Sequence, residues 1–70
     1  MARIYLKEIR ENSGLSMQDV AEKIGISRQY YQQIEAGERQ QKMDITLVAK
    51  LSTIFCIPIE KIVEYENEKE

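Results

Sequence analysis

The 70-residue sequence contains no histidine, one cysteine and no glycine-rich loop of the kind that binds phosphate. Without histidine it offers no catalytic triad, no histidine-based metal site and no usual general base. Cys56 has no partner base, which makes it a poor candidate for a catalytic nucleophile. These absences argue against an enzyme and against a bound metal or organic cofactor.

A single cysteine also excludes an internal disulfide and fits the reducing cytoplasm. The longest apolar run, residues 54–59, contains Pro58 and is far too short to cross a membrane. From Arg3 onward the N-terminus alternates charged and apolar residues, so we expect no signal peptide. The sequence therefore predicts a cytoplasmic protein with no membrane segment.

The sequence lacks the excess of positive charge that is typical of nucleic-acid binders, since its formal net charge is −2. The acidity lies mainly in residues 60–70, which contain five acidic residues and two lysines, a net charge of −3. The other 59 residues contain eight basic and seven acidic residues, a net charge of +1. Binding to nucleic acid would therefore depend on a few well-placed basic residues and on helix N-termini.

Apolar residues make up 43% of the chain and charged residues 31%, a balance typical of one small folded helical domain. The apolar spacing predicts five helices: residues 4–13, 17–24 and 28–36, a fourth helix that Asp44 caps and that ends at Cys56 or Ile57, and a short fifth helix with Pro58 near its start. The predicted domain spans residues 1–65, and we expect residues 66–70 to form a frayed acidic tail.

The second and third predicted helices are joined by a turn of three residues. Ser16 is a predicted N-cap, and Asp19 three positions later completes a capping box. Gly25 follows the second helix, where a left-handed residue is favoured, and Ser27 caps the third. Hydrophobic staples are predicted at the two helix entries, by Leu15 with Val20 and by Ile26 with Tyr31. Together these features predict a helix-turn-helix.

Several spaced residues extend this pattern along the chain: Arg10, Gly14-Leu15-Ser16, Ala21, Gly25, Ser27, Ile34-Glu35 and Gly37. With them, the sequence from about Leu6 to Val63 resembles the DNA-binding unit of the phage repressor and Cro family of bacterial regulators, also called the Xre family. The resemblance implies an all-α fold of five helices, like that of the lambda repressor. It also implies a transcriptional regulator, most simply a repressor, that binds duplex DNA through helix 3 in the major groove.

The outward side of the third predicted helix is rich in glutamine. With the buried direction placed between Tyr31 and Ile34, the helical period puts Gln29 and Gln33 on the opposite side, flanked by Gln32. A glutamine amide can donate and accept one hydrogen bond at once, which matches the N6 and N7 edge of adenine. Glutamine is also a common exposed helix residue. The assignment to base recognition therefore rests on the resemblance, because family members contact bases from these positions.

Further DNA contacts are expected around these glutamines. Arg28 lies at the entrance of helix 3, while Gln18 and Ser27 lie at or near helix N-termini, where backbone N–H groups can face phosphate. For Gln18 and Ser27, capping and solvent exposure are the alternative interpretation. Arg39 and Lys42 are candidates for holding the DNA backbone, and a charged solvated loop explains them equally well.

Three residues near helix 3 have structural interpretations. Tyr30 is predicted either to pack at the edge of the core or to lean towards the DNA. The resemblance implies an ion pair between Arg10 and Glu35 that ties helix 1 to the end of helix 3. Two independent surface charges are the alternative for that pair.

The sequence departs from the family pattern at four places. Met17 stands where a glutamine or threonine commonly contacts phosphate, and Glu38 replaces a common basic residue. The loop after Gly37 lacks the usual proline and is about two residues longer. Cys56 occupies a position often held by glycine, so we expect the cap after helix 4 to be strained or rearranged.

A short fifth helix could not bury all of its apolar residues against its own core. The candidates for an exposed dimer interface are Ile57, Ile59, Ile62, Val63 and Tyr65. A symmetric homodimer would place two recognition helices about 34 Å apart on a palindromic operator. The alternatives are a small monomeric core, and an antitoxin or accessory subunit that uses the scaffold mainly to bind another protein. No small-molecule ligand is indicated.

Overall fold

Five α-helices form the regular structure of residues 2–68, which are the residues that the computed structural model describes. The helices are α1 Ile4–Asn12, α2 Met17–Ile24, α3 Arg28–Glu35, α4 Ile45–Phe55 and α5 Ile59–Glu68. The range contains no strand, and no helix within it has the length and apolar character needed to span a membrane. The prediction of an all-α, five-helix fold is confirmed, and α1 to α4 lie within two residues of their predicted bounds.

Three helices begin at side-chain caps that the sequence predicts. The Ser16 hydroxyl accepts a hydrogen bond from the Asp19 N–H, and the Asp19 carboxylate accepts one from the Ser16 N–H, both at 3.0 Å. These two bonds lower the pKa of Asp19. Ser27 and Asp44 each accept one backbone N–H from the first turn of α3 and α4. The caps satisfy N–H groups that a helix start leaves without a partner.

The helices α1 to α4 all end in the same left-handed turn. The residues with positive φ at these ends are Gly14, Gly25, Gly37 and Cys56. At each end, the next N–H donates to the carbonyl five residues earlier, as from Ile57 to Ser52 at 3.1 Å. Cys56 adopts φ 56° and ψ 44° despite its Cβ. The cap after α4 is therefore retained in the strained form and is not rearranged.

The hydrophobic core lies between all five helices. The helices α2 and α3 pack on each other, α4 packs on α2 and α5, and α1 packs on α3. The buried apolar residues are Leu6, Val20, Ala21, Ile24, Tyr31, Ile34, Leu47, Val48, Leu51, Phe55 and Ile62. Because these residues come from every helix, the burial of one apolar surface fixes α3 relative to the other four.

The last helix is longer than the sequence analysis predicts. It runs to Glu68, so the expectation of a frayed tail is wrong for residues 66–68, while residues 69 and 70 lie outside the described part of the chain. The physical reason is that the Glu66 carboxylate accepts hydrogen bonds of 2.8 and 3.2 Å from the guanidinium of Arg3. This contact holds the last turns of α5 against the N-terminal segment.

Replacing Cys56 with glycine should stabilise the domain by about 1 kcal/mol, because glycine adopts the left-handed conformation without a Cβ penalty. The variant Cys56→Ala is the matched control, since it removes the exposed thiol but keeps the Cβ. Urea denaturation of the three proteins would give their free energies of unfolding. An equal gain for both variants would show that the thiol, and not the backbone conformation, limits stability.

Candidate nucleic-acid interface

The helix α3 buries one side and exposes the other. Its buried side chains are Tyr31, Ile34 and Glu35. We define the outer face of α3 by the four polar residues on the remaining surface: Arg28, Gln29, Gln32 and Gln33. Of these, Arg28, Gln29 and Gln32 are exposed and Gln33 is half-buried. The structure thus brings four of the predicted DNA-binding residues onto one continuous polar surface.

The loop between α3 and α4 folds back onto the outer face of α3. The Arg39 Nε donates a 3.1 Å hydrogen bond to the Gln33 Oε1, and the Arg39 guanidinium lies 5.9 Å from the centre of the Tyr30 ring. The Tyr30 hydroxyl accepts a 3.0 Å hydrogen bond from the Gln40 amide. Tyr30 therefore packs half-buried between the core and this loop, which places Arg39 beside the glutamines.

Three further predicted DNA-binding residues are exposed outside the outer face of α3. The Gln18 amide donates a 2.8 Å hydrogen bond to the Glu22 carboxylate one turn along α2, so one of its donors is satisfied within the protein. Ser27 is exposed and caps α3. Lys42 is exposed in the loop. Capping and solvent exposure therefore account for Ser27 as well as a phosphate contact does.

Arg10 and Glu35 form a buried ion pair. The Arg10 Nε lies 2.6 Å from one Glu35 carboxylate oxygen, and its Nη2 lies 3.5 Å from the other. A further bond of 3.1 Å runs from Arg10 to the Leu15 carbonyl. The hydrogen bond to Glu35 raises the pKa of Arg10. The pair ties the end of α1 and the entry of α2 to the end of α3.

Arg3 is completely buried. Its guanidinium donates to the carbonyls of Ile34 at 2.6 Å, of Arg39 at 3.1 Å and of Gln40, and to both carboxylate oxygens of Glu66. All five N–H donors of the side chain are thereby satisfied. Three carbonyls and a carboxylate thus replace the water that the charge of Arg3 would otherwise require. We call these five residues the Arg3 cluster.

Tyr5 extends this contact between the N-terminus and α5. Its hydroxyl donates to the Glu66 carboxylate, and its ring stacks on Tyr65 with 4.9 Å between ring centres. Burial, together with the adjoining Glu66 carboxylate, raises the pKa of the Tyr5 hydroxyl well above its ordinary value. Tyr65 is thus half-buried against Tyr5, and its assignment to a dimer interface stays a prediction.

The other predicted interface residues also divide between core and surface. Ile62 is only 3% exposed and belongs to the core, so its assignment to an exposed patch is wrong. Ile57 is half-buried and packs against the core. Ile59 and Val63 are 38% and 42% exposed, and they lie one helical turn apart on α5. With ten residues, α5 is long enough to turn Ile62 inward and leave these two outside.

The sequence contains a signal for the Arg3 cluster in the spacing of its charged residues. Arg3, Leu6 and Arg10 are spaced i, i+3 and i+7, which puts all three along one side of α1 and its entry. Glu66 likewise follows the buried Ile62 by four residues. The spacing indicates which side each charge occupies. The spacing does not identify the partners of Arg3, since three of them are backbone carbonyls, which every residue has.

Charge is unevenly distributed between α3 with its following loop and α5. Residues 28–43 contain three basic residues, Arg28, Arg39 and Lys42, and two acidic residues, Glu35 and Glu38. Because Glu35 is neutralised by Arg10, only Glu38 opposes the three cations. The acidic residues of α5 are Glu60, Glu64, Glu66 and Glu68. The outer face of α3 and its loop are thus locally positive, although the chain as a whole is not.

Comparison with known proteins finds similarity to a protein family and to a named relative. A family model described as helix-turn-helix matches residues 6–62. The chain is also 36% identical over 64 residues to a Pyrococcus furiosus protein provisionally named an HTH-type transcriptional regulatory protein. This similarity covers 91% of the chain and 20% of the relative, so the chain spans about a fifth of the length of that relative.

Two buried tyrosine hydroxyls should respond differently to removal. The variant Tyr5→Phe loses a hydrogen bond to a carboxylate and should lower the free energy of unfolding by about 1–2 kcal/mol. The buried Tyr31 hydroxyl forms no hydrogen bond within the described residues, and burial, together with the Glu35 carboxylate, raises its pKa. The variant Tyr31→Phe should therefore cost less than about 0.5 kcal/mol or stabilise the domain. Urea denaturation would compare the two, and a larger loss for Tyr31→Phe would contradict this ranking.

Proposed function

The chain belongs to the helix-turn-helix family of the Cro/C1 type, and on that premise we propose that it is a sequence-specific transcriptional regulator that inserts α3 into the major groove of duplex DNA. The observation that carries the proposal is the outer face of α3. Three of its four polar residues are exposed, while the other side of the same helix is locked into the core. A helix held in this way presents side chains to base edges without having to be reorganised on binding.

Backbone contacts would come from the residues around that face. Arg28, Arg39 and Lys42 supply positive charge, and the N-terminus of α3 at Ser27 can face a phosphate. The simplest regulatory outcome of such binding is repression, because a bound domain occupies the promoter. The protein then acts by occupancy and needs neither a catalytic residue nor a cofactor.

We further infer that the domain binds a palindromic operator as a homodimer. One α3 contacts only a few base pairs, and a net charge of −2 gives weak attraction to the DNA backbone. Ile59 and Val63 form a small exposed apolar strip on α5, beside a cleft of about 350 Å³ that Met43 and Val48 help to line. Two such strips could pair, with Glu60 and Glu64 as a polar rim.

Replacing Gln29 with alanine should remove the preference for one base pair in each half-site, at a cost of about 1–3 kcal/mol for the preferred duplex. Lys42→Ala is the control: it should weaken binding to every duplex and flatten the dependence of affinity on salt. Duplexes selected from a random pool, then titrated at several salt concentrations, would measure both effects. Unchanged preference and affinity in Gln29→Ala would contradict the assignment.

Replacing Val63 with glutamate should convert the dimer to a monomer, because two buried carboxylates would face each other across the interface. Thr53→Glu adds the same charge at an exposed position of α4 and serves as the control. Ile62→Glu is unsuitable because Ile62 lies in the core. Sedimentation equilibrium at micromolar concentration would report the change. A wild-type protein that is monomeric yet has full operator affinity would exclude the dimer, and stable co-purification with a different protein would favour an accessory subunit.

A further inference from the structure

The side-chain oxygen of Gln33 accepts a hydrogen bond from Arg39. The Arg39 Nε lies 3.1 Å from this oxygen. A guanidinium has donors and no acceptor, so the amide atom that faces Arg39 must be the oxygen and cannot be the nitrogen. The remaining group of the amide, the NH₂ with its two donors, is therefore the one left to face a ligand.

Arg39 is held in place by several contacts. Its guanidinium lies over the Tyr30 ring, and Tyr30 is fixed in turn by the Gln40 amide. The backbone of Arg39 is fixed as well, because its N–H donates to the Gln33 carbonyl at 3.3 Å and its carbonyl accepts from the buried Arg3. These contacts hold the side chain of Arg39 in a defined position beside Gln33.

We propose that Arg39 determines specificity by turning the Gln33 amide so that only its NH₂ group faces the major groove. The proposal rests on the function proposed above, in which α3 lies in that groove. A glutamine free to use both its donor and its acceptor matches adenine N6 and N7. A glutamine whose oxygen is turned towards Arg39 presents its NH₂ donors, which match an edge made of acceptors, namely guanine O6 and N7, or thymine O4. Gln33 therefore favours guanine, or less strongly thymine, over adenine, whose N6 amino group would face the NH₂ donors of the glutamine.

Gln29 provides an internal comparison on the same helix. Within the described residues its side chain makes no hydrogen bond, and it is exposed. Gln29 keeps both its donor and its acceptor and remains suited to adenine. Two glutamines that are one turn apart, and that are chemically identical, thus acquire different base preferences from their surroundings. The difference between them lies in Arg39 and not in α3 itself.

The test compares single-base-pair variants of a duplex that the wild-type protein selects from a random pool. At the base pair assigned by loss of preference in Gln33→Ala, the wild type should favour guanine or thymine over adenine. Arg39→Ala should raise the affinity for adenine relative to guanine about tenfold at that pair alone. Lys42→Ala removes the same charge from the same loop and should weaken all duplexes without changing this ratio.

The double variant Gln33→Ala/Arg39→Ala separates specificity from simple loss of charge. In the Gln33→Ala background, removing Arg39 should lower affinity generally and leave every base preference as it was. An adenine preference of the wild type at the Gln33 pair would overturn the proposal, as would an unchanged ratio in Arg39→Ala. Either result would leave the proposed function intact. Failure of the wild type to select any sequence would overturn both.

Discussion

The contact between Arg3 and Glu66 is the constraint on which the positions of α5 and of the loop after α3 depend. A buried guanidinium must have its charge compensated and its donors satisfied, since neither is supplied by water. Here the compensation comes from α5, while the carbonyls come from α3 and its loop. None of these three segments can shift without leaving a buried charge or carbonyl without its partner. The side chain therefore acts as a fixed point around which the segments are arranged.

A second buried arginine acts on the same helix. Arg10 binds the Glu35 carboxylate, and Arg3 binds the neighbouring Ile34 carbonyl, so the last turn of α3 is held from both sides. A helix of eight residues is too short to be stable by its own hydrogen bonds and takes its stability from tertiary contacts. The arginines, together with the apolar packing of Tyr31 and Ile34, supply those contacts. They leave the opposite side of the helix polar and exposed.

The features that could be predicted from the sequence are the local ones. Helix caps such as Ser16 and left-handed ends such as Gly25 depend on neighbouring residues, so their chemistry is visible in a few letters. The Arg10–Glu35 contact was reachable only through resemblance, because 25 residues separate the partners. The Arg3 cluster escaped prediction because most of its acceptors are backbone carbonyls, which every residue has. The burial of Ile62 could not be predicted because it depends on how α5 packs on α4, which is a tertiary contact.

The Arg3 cluster also has a consequence for the connectivity of the domain. Its ion pair joins positions 63 residues apart and so closes almost the whole described chain into a ring. The entropy lost on closing such a ring grows only slowly with its length. Once closed, the two ends of the domain no longer open independently: unwinding α5 as far as Glu66 frees the N-terminal segment, and detaching that segment frees α5. The contact therefore couples the N-terminal segment to the end of α5, and the two open as one cooperative unit.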